Sequence, residues 1–92
     1  MNKNIQLSSN ILFSVLYENA PFNMAVNHFL KKENISSIDR SQIVKIVGCS
    51  LRHFYIFDFL IKQYLPSLNE IDRCLIFIYL SNRLFLHVLS LE

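Results

Sequence analysis

Apolar residues recur at helical spacing along most of this 92-residue chain, and three breaks divide the pattern into four segments. In the first segment, about residues 6–18, apolar side chains lie three and four positions apart, as on one face of a helix. Asn19-Ala20-Pro21 ends it, because Asn tolerates left-handed backbone and Pro suits the first turn of a following helix. A second amphipathic helix is predicted over about residues 21–32.

The third segment begins at Ser36 and continues to Leu65. Ser36 followed three positions later by Asp39 is a capping-box pattern, which marks the start of a helix. Apolar residues then occur on most sides, as in a helix at the centre of a bundle. Gly48 is the one interruption, and a glycine costs about 1 kcal/mol in a helix interior. We therefore expect a bend, a close helix contact or a split near Gly48.

The last segment is predicted as a helix over about residues 68–89. Pro66 ends the preceding helix, and Ser67 with Glu70 forms a second capping-box pattern. This helix is almost wholly apolar, so its outer face is expected to need a cover, either by further helices or by a second copy of the chain. The whole pattern predicts an all-α bundle of four to five helices.

Composition agrees with one helical domain. Gly occurs once and Pro twice, whereas all-β folds need many turn residues. Apolar residues make up 52% of the chain and charged residues 17%, against about 25% charged in an ordinary domain. Arg83, near the middle of the apolar stretch 74–91, costs about 2.5–3.5 kcal/mol in a membrane. We interpret that stretch as a core helix, expect no membrane span and, without a signal peptide, expect a cytoplasmic protein.

Residues that could carry catalysis or bind a metal do not form a recognisable pattern. Cys49 and Cys74 both lie in apolar runs, which is typical of buried free thiols. The three histidines lack the spacing of metal ligands. Asp58 is set among apolar residues, and its simplest role is an ion pair with Lys62, Arg73 or Arg40. We therefore expect a binding domain with no catalytic residues, no metal and no cofactor of its own.

Basic residues are the stronger indication of function. The net charge is +2, and cations are frequent in and before the third segment. Lysines and arginines there could form one positive patch that holds phosphates by charge. The alternative interpretation is a solvated face that keeps the chain soluble. The candidate RNA-binding residues are Lys31, Lys32, Arg40, Lys45 and Arg52.

Three short motifs of this region resemble the NusB-like domain. The family pattern is roughly (S/D)-x-x-D-(R/K), an apolar helix, G-V-L-R and then L-D-x-L-I. The chain has Asp39-Arg40, Leu51-Arg52 and Asp58-Phe59-Leu60-Ile61 in register. Glu70-Ile71-Asp72-Arg73 is similar to the start of a later helix in NusB. The chain departs from the pattern where the Gly of G-V-L-R falls at Cys49.

The resemblance implies a NusB-like helical bundle over residues 1–92, as the N-terminal part of a longer protein. Such a domain precedes the catalytic domain in the Sun/RsmB family of 16S rRNA cytosine-5 methyltransferases. The implied function is an RNA-binding accessory domain that docks rRNA, with S-adenosylmethionine bound by the separate C-terminal methyltransferase domain. Arg52, and with it Arg40, are the positions carried over. The alternative is a NusB-type transcription antitermination or protein–protein interaction module, and a homodimer through the apolar last helix is a further expectation.

Overall fold

The computed structural model describes residues 3–86, which form five α-helices and a final π-helical turn. The predicted all-α bundle is confirmed, and no strand occurs among the described residues. The predicted part of the last helix beyond residue 86 lies outside them. The helices are α1 (Lys3–Tyr17), α2 (Phe22–Lys31), α3 (Ser37–Arg52), α4 (Phe54–Tyr64) and α5 (Glu70–Ser81), followed by the π-helical turn Asn82–Leu86.

The centre of the bundle is built by α1, α3 and α5. α1 packs against α2, α3 and α5, and α3 packs directly on α5. Where α3 meets α5, the hydroxyls of Ser50 and Ser81 lie 2.7 Å apart, and Ser50 also donates to the Ile46 carbonyl at 2.9 Å. These small buried side chains satisfy each other's polar groups and let the two helices approach closely. The largest fully buried side chains are Ile5, Ile11, Leu12, Ile43, Ile46, Val47, Phe57, Phe77 and Ile78.

Local signals set two of the helix starts. Ser36 Oγ accepts a hydrogen bond from the Asp39 backbone N–H at 3.1 Å, so the predicted cap of α3 is confirmed. The predicted cap of the last helix is wrong by two residues. Ser67 lies in the turn that follows α4, and Asn69 Oδ1 instead accepts from the Asp72 N–H at 2.8 Å. The left-handed conformation expected of Asn19 is confirmed by its φ of 58°.

The long third segment splits at His53, five residues after the expected position. α3 passes through Gly48 without a break, and no helix packs on that glycine. His53 has φ −105° and ψ 19°, and its Nδ1 lies 2.9 Å from the Cys49 carbonyl oxygen. Its ring stacks on Phe85 with the ring centroids 4.2 Å apart. Contacts from the C-terminal end of the described chain thus hold the junction.

The exposed apolar side chains are concentrated on α4 and not on α5. Ile71, on the first turn, is the one exposed large apolar side chain of α5, whereas Tyr55, Ile56 and Phe59 are all exposed on α4. The homodimer through the last helix stays a prediction. None of the helices within residues 3–86 has both the length and the apolarity that crossing a bilayer requires.

Candidate nucleic-acid interface

The five cations predicted from the sequence lie at the surface of α2 and α3. The salt bridges within residues 3–86 join Lys3 to Glu33 at 2.7 Å, Lys62 to Asp58 at 2.9 Å and Arg73 to Asp58 at 3.6 Å. None of the predicted cations takes part in these pairs, so their charges are open to an anionic partner. All five are exposed: Lys31, Lys32, Arg40, Lys45 and Arg52.

One group of these cations gathers where α2 ends and α3 begins. Arg40 Nη2 donates a hydrogen bond to Asn27 Oδ1 at 2.9 Å, which ties the first turns of α3 to α2. Asn27 precedes Lys31 by one helical turn, so Lys31 is on the face of α2 that Arg40 contacts. Lys32 follows as the C-cap of α2. Asn27 is a contributor that charge counting could not identify, because it has no charge.

The second group lies further along the outward face of α3. Lys45 and Arg52 are seven residues apart, which places them on one face about 10 Å from each other along the axis. Arg40 is about 140° around the helix from Lys45, on the side of α2. The structure therefore divides the predicted patch into a cluster at the α2–α3 corner and a pair on α3.

Gly48 lies between the cations of this pair. A Cβ atom at Gly48 would be 3.4 Å from Nη1 of Arg52, so the guanidinium lies back over the glycine. Apart from the helix backbone and the neighbouring residues, no other described atom lies within 4 Å of that position. Because Gly48 has no side chain, it leaves a shallow depression between its neighbours on the outward face of α3, and the Arg52 guanidinium lies over it.

Two further cations belong to a structural cluster. Asp58 of α4 binds both Lys62 and Arg73, as expected from the sequence, and Arg73 also donates to the Leu68 carbonyl at 3.2 Å. This network joins α4 to the start of α5. Because their charges are already paired, Lys62 and Arg73 are poor candidates for binding an external anion.

The cysteines are buried free thiols, as predicted. Burial raises the pKa of the Cys74 thiol to about 12, and the nearby Glu70 carboxylate adds to the effect. Cys49 Sγ lies 3.6 Å from His53 Nδ1 inside the α3–α4 junction. Within residues 3–86, no group of three or more His, Cys, Asp or Glu side chains is placed to hold a metal ion.

An aromatic groove, which sequence reasoning missed, runs between α1, α2 and the start of α5. It consists of two adjoining depressions of about 420 and 490 Å³ that share Phe13 and Ile71. The Phe13 and Tyr17 rings lie 5.3 Å apart along one wall. Their spacing of four residues on α1 was the available sequence signal. The groove is lined by Gln6, Ser9, Asn10, Phe13, Tyr17, Glu18, Phe29, Leu68, Asn69, Glu70, Ile71 and Arg73.

In comparisons with protein-family models, characterised proteins and solved structures, no match to this chain was found. The two cation groups and the aromatic groove are thus the features from which a function can be argued. The cations can bind phosphates by charge and hydrogen bonding. The groove can bind an apolar surface.

Proposed function

We propose that this chain is an RNA-binding accessory domain of an rRNA (cytosine-5) methyltransferase, which docks rRNA for a separate catalytic domain. The observation that carries the proposal is the set of five exposed, unpaired cations on α2 and α3 among the described residues. The resemblance of Asp39-Arg40 and Leu51-Arg52 to the NusB-like pattern supplies the link to the enzyme. Both arginines belong to the cation set.

The proposed mechanism is positioning. Arginine and lysine on helices hold backbone phosphates, and holding the substrate next to an attached catalyst replaces a bimolecular encounter. S-adenosylmethionine and the reactive cysteine belong to the other domain. Cys49 and Cys74 are poor nucleophiles where they lie, because both are buried and the raised pKa of Cys74 keeps its thiol protonated.

Reversing three of the cations tests the proposal. The variant Arg40→Glu/Lys45→Glu/Arg52→Glu should lose RNA binding, measured by fluorescence anisotropy with a labelled 16S rRNA fragment. All three side chains are exposed, so the fold should persist, as circular dichroism can check. For the unmodified chain, the affinity should fall with salt, each phosphate contact adding about 0.7 to the log–log slope on single strands.

A charge-matched control keeps this test specific. Lys3, Lys62 and Arg83 are exposed elsewhere, and their reversal to Glu changes the net charge by the same amount. Exposed ion pairs such as Lys3–Glu33 contribute only about 0–1 kcal/mol, so this variant should also fold. It should keep most of the RNA affinity. Equal losses in both triple variants, or none in the first, would contradict the proposed interface.

A protein–protein interaction module, such as a NusB-type antitermination factor, is the second candidate, and the aromatic groove favours it. The groove is lined by the apolar side chains of Phe13, Tyr17 and Ile71 and by the carboxylates of Glu18 and Glu70. Its two carboxylates disfavour RNA, and the one cation in its lining, Arg73, is already paired with Asp58. A protein surface with apolar side chains could fill such a groove.

Salt separates the two candidates. Binding through phosphates weakens steeply as salt rises, whereas apolar docking holds or strengthens. The double variant Phe13→Ala/Ile71→Ala should leave RNA affinity unchanged while weakening any salt-resistant protein association in co-sedimentation. RNA binding that depends on these two apolar residues would contradict the division between groove and cations.

A further inference from the structure

We propose that the depression at Gly48 is a seat for a single backbone phosphate of RNA, with Arg52 and Lys45 as its ligands. This inference rests on the proposed function and deepens it, since it assigns one phosphate to one position of the cationic surface. It concerns the pair on α3 and not the cluster at the α2–α3 corner.

Packing between helices does not explain the glycine, whose near side-chain neighbour is the Arg52 guanidinium of its own helix. α3 runs straight through Gly48, its backbone φ is negative, and no neighbouring helix needs the space that a side chain would fill. Glycine in a helix interior is nevertheless unfavourable relative to alanine. The consequence that remains is at the surface, where a missing side chain lets another molecule's backbone approach the helix closely.

Arg52 lies over the depression, and Lys45 lies beside it. Arg52 is one turn after Gly48, and helical side chains lean toward the N-terminus, which brings its guanidinium over the glycine. Lys45 lies three residues before Gly48 on the same outward face. Neither is held by a carboxylate of residues 3–86. The guanidinium can donate two parallel hydrogen bonds to a phosphate, and the lysine adds a second positive charge.

Filling the seat should weaken RNA binding while the protein becomes more stable. Gly48→Ala should raise the melting temperature by roughly 4–8 °C, because alanine is the better helix former. A Cβ at 3.4 Å from Arg52 Nη1 is in ordinary contact, so alanine fits. Gly48→Leu covers the depression and should raise the RNA Kd about tenfold, with Gly48→Ala between it and the unmodified chain.

Two controls complete the experiment. Gln63→Leu places the same leucine side chain on the exposed side of α4, away from the cations, and should leave the Kd unchanged. Arg52→Lys keeps the charge but removes the two-pronged geometry, and should raise the Kd about threefold. An unchanged Kd in Gly48→Leu, with RNA still bound, would overturn the seat and leave the proposed function standing.

Inorganic pyrophosphate provides a readout that does not need RNA. In an NMR titration of the unmodified chain, the largest shifts should occur at the Gly48 amide and the Arg52 Nε–H, and Gly48→Leu should abolish them. If pyrophosphate shifts these resonances but the chain binds no RNA, the proposed function is contradicted and the phosphate site at Gly48 is not. No shift at Gly48 and Arg52 in the unmodified chain would overturn the seat.

Discussion

α4 and α5 have similarly apolar sequences but occupy very different environments. In α5, Cys74, Phe77 and Ile78 are completely buried between α1 and α3. In α4, only Phe57 and Ile61 are buried, and Tyr55 and Phe59 are 85% and 64% exposed. An apolar helix is therefore not by itself a core helix, because burial depends on how many neighbours the topology supplies.

The difference follows from where the helices lie in the bundle. α5 is flanked by α1, α3 and α4, whereas α4 packs on the edge formed by α3, α5 and, through Phe57 and Phe85, the π-helical turn. α4 is fastened there by a polar contact as well as by Phe57, since Asp58 pairs with Arg73 of α5. A helix with one covered side keeps the rest of its apolar surface in solvent.

Thiol labelling should show the largest contrast between the two helices. In a chain without Cys49, the Cys74 thiol should react with iodoacetamide at pH 8 more than about a thousandfold more slowly than a cysteine introduced by Phe59→Cys. Cys74 is buried and has a pKa of about 12, so almost no thiolate is present. Rates measured by mass spectrometry within a factor of ten of each other would show that α5 is not enclosed.

The same pKa shift carries a pH dependence. Because the folded state holds the Cys74 proton more tightly than the unfolded chain, folding binds more protons between pH 9 and about 12. Stability should therefore fall as pH rises through that window, and Cys74→Ala should reduce the slope. A denaturation series at pH 8 and pH 10.5 checks the sign.

Replacing a phenylalanine by alanine should cost several kcal/mol more unfolding free energy in α5 than in α4. Phe77→Ala removes a fully buried ring and should lower the free energy of unfolding by about 3–5 kcal/mol. Phe59→Ala, on the exposed side of α4, should change it by less than about 0.5 kcal/mol. Urea unfolding measures both. A loss above about 2 kcal/mol for Phe59→Ala would mean that α4 is covered.

The smallest expected stability effect concerns the residue that caps the start of α5. Asn69→Ala should cost about 1 kcal/mol, because it removes the side-chain cap to the Asp72 N–H. Ser67→Ala should cost far less, since Ser67 lies in the preceding turn. If thermal unfolding showed a larger loss of stability for Ser67→Ala than for Asn69→Ala, Ser67 would be the cap, as the sequence predicts.

Much of the fold was predictable because a helix is marked by residues close together in the sequence. The periodicity of apolar residues identified the segments, Ser36 marked the start of α3, and Asn19 marked the end of α1. The cations of the candidate interface were also readable, since charged side chains are rarely buried. The aromatic groove was not, because its walls come from three helices that are distant in sequence.

The sequence by itself determined an all-helical chain, with most of its helix boundaries and its pairing of Asp58 with Lys62, since these depend on residues within a few turns of each other. Only the tertiary structure decided that the long third segment breaks at His53 and that α5 is buried while α4 is exposed. The physical reason is that burial and chain direction are set by long-range packing, which local spacing does not record.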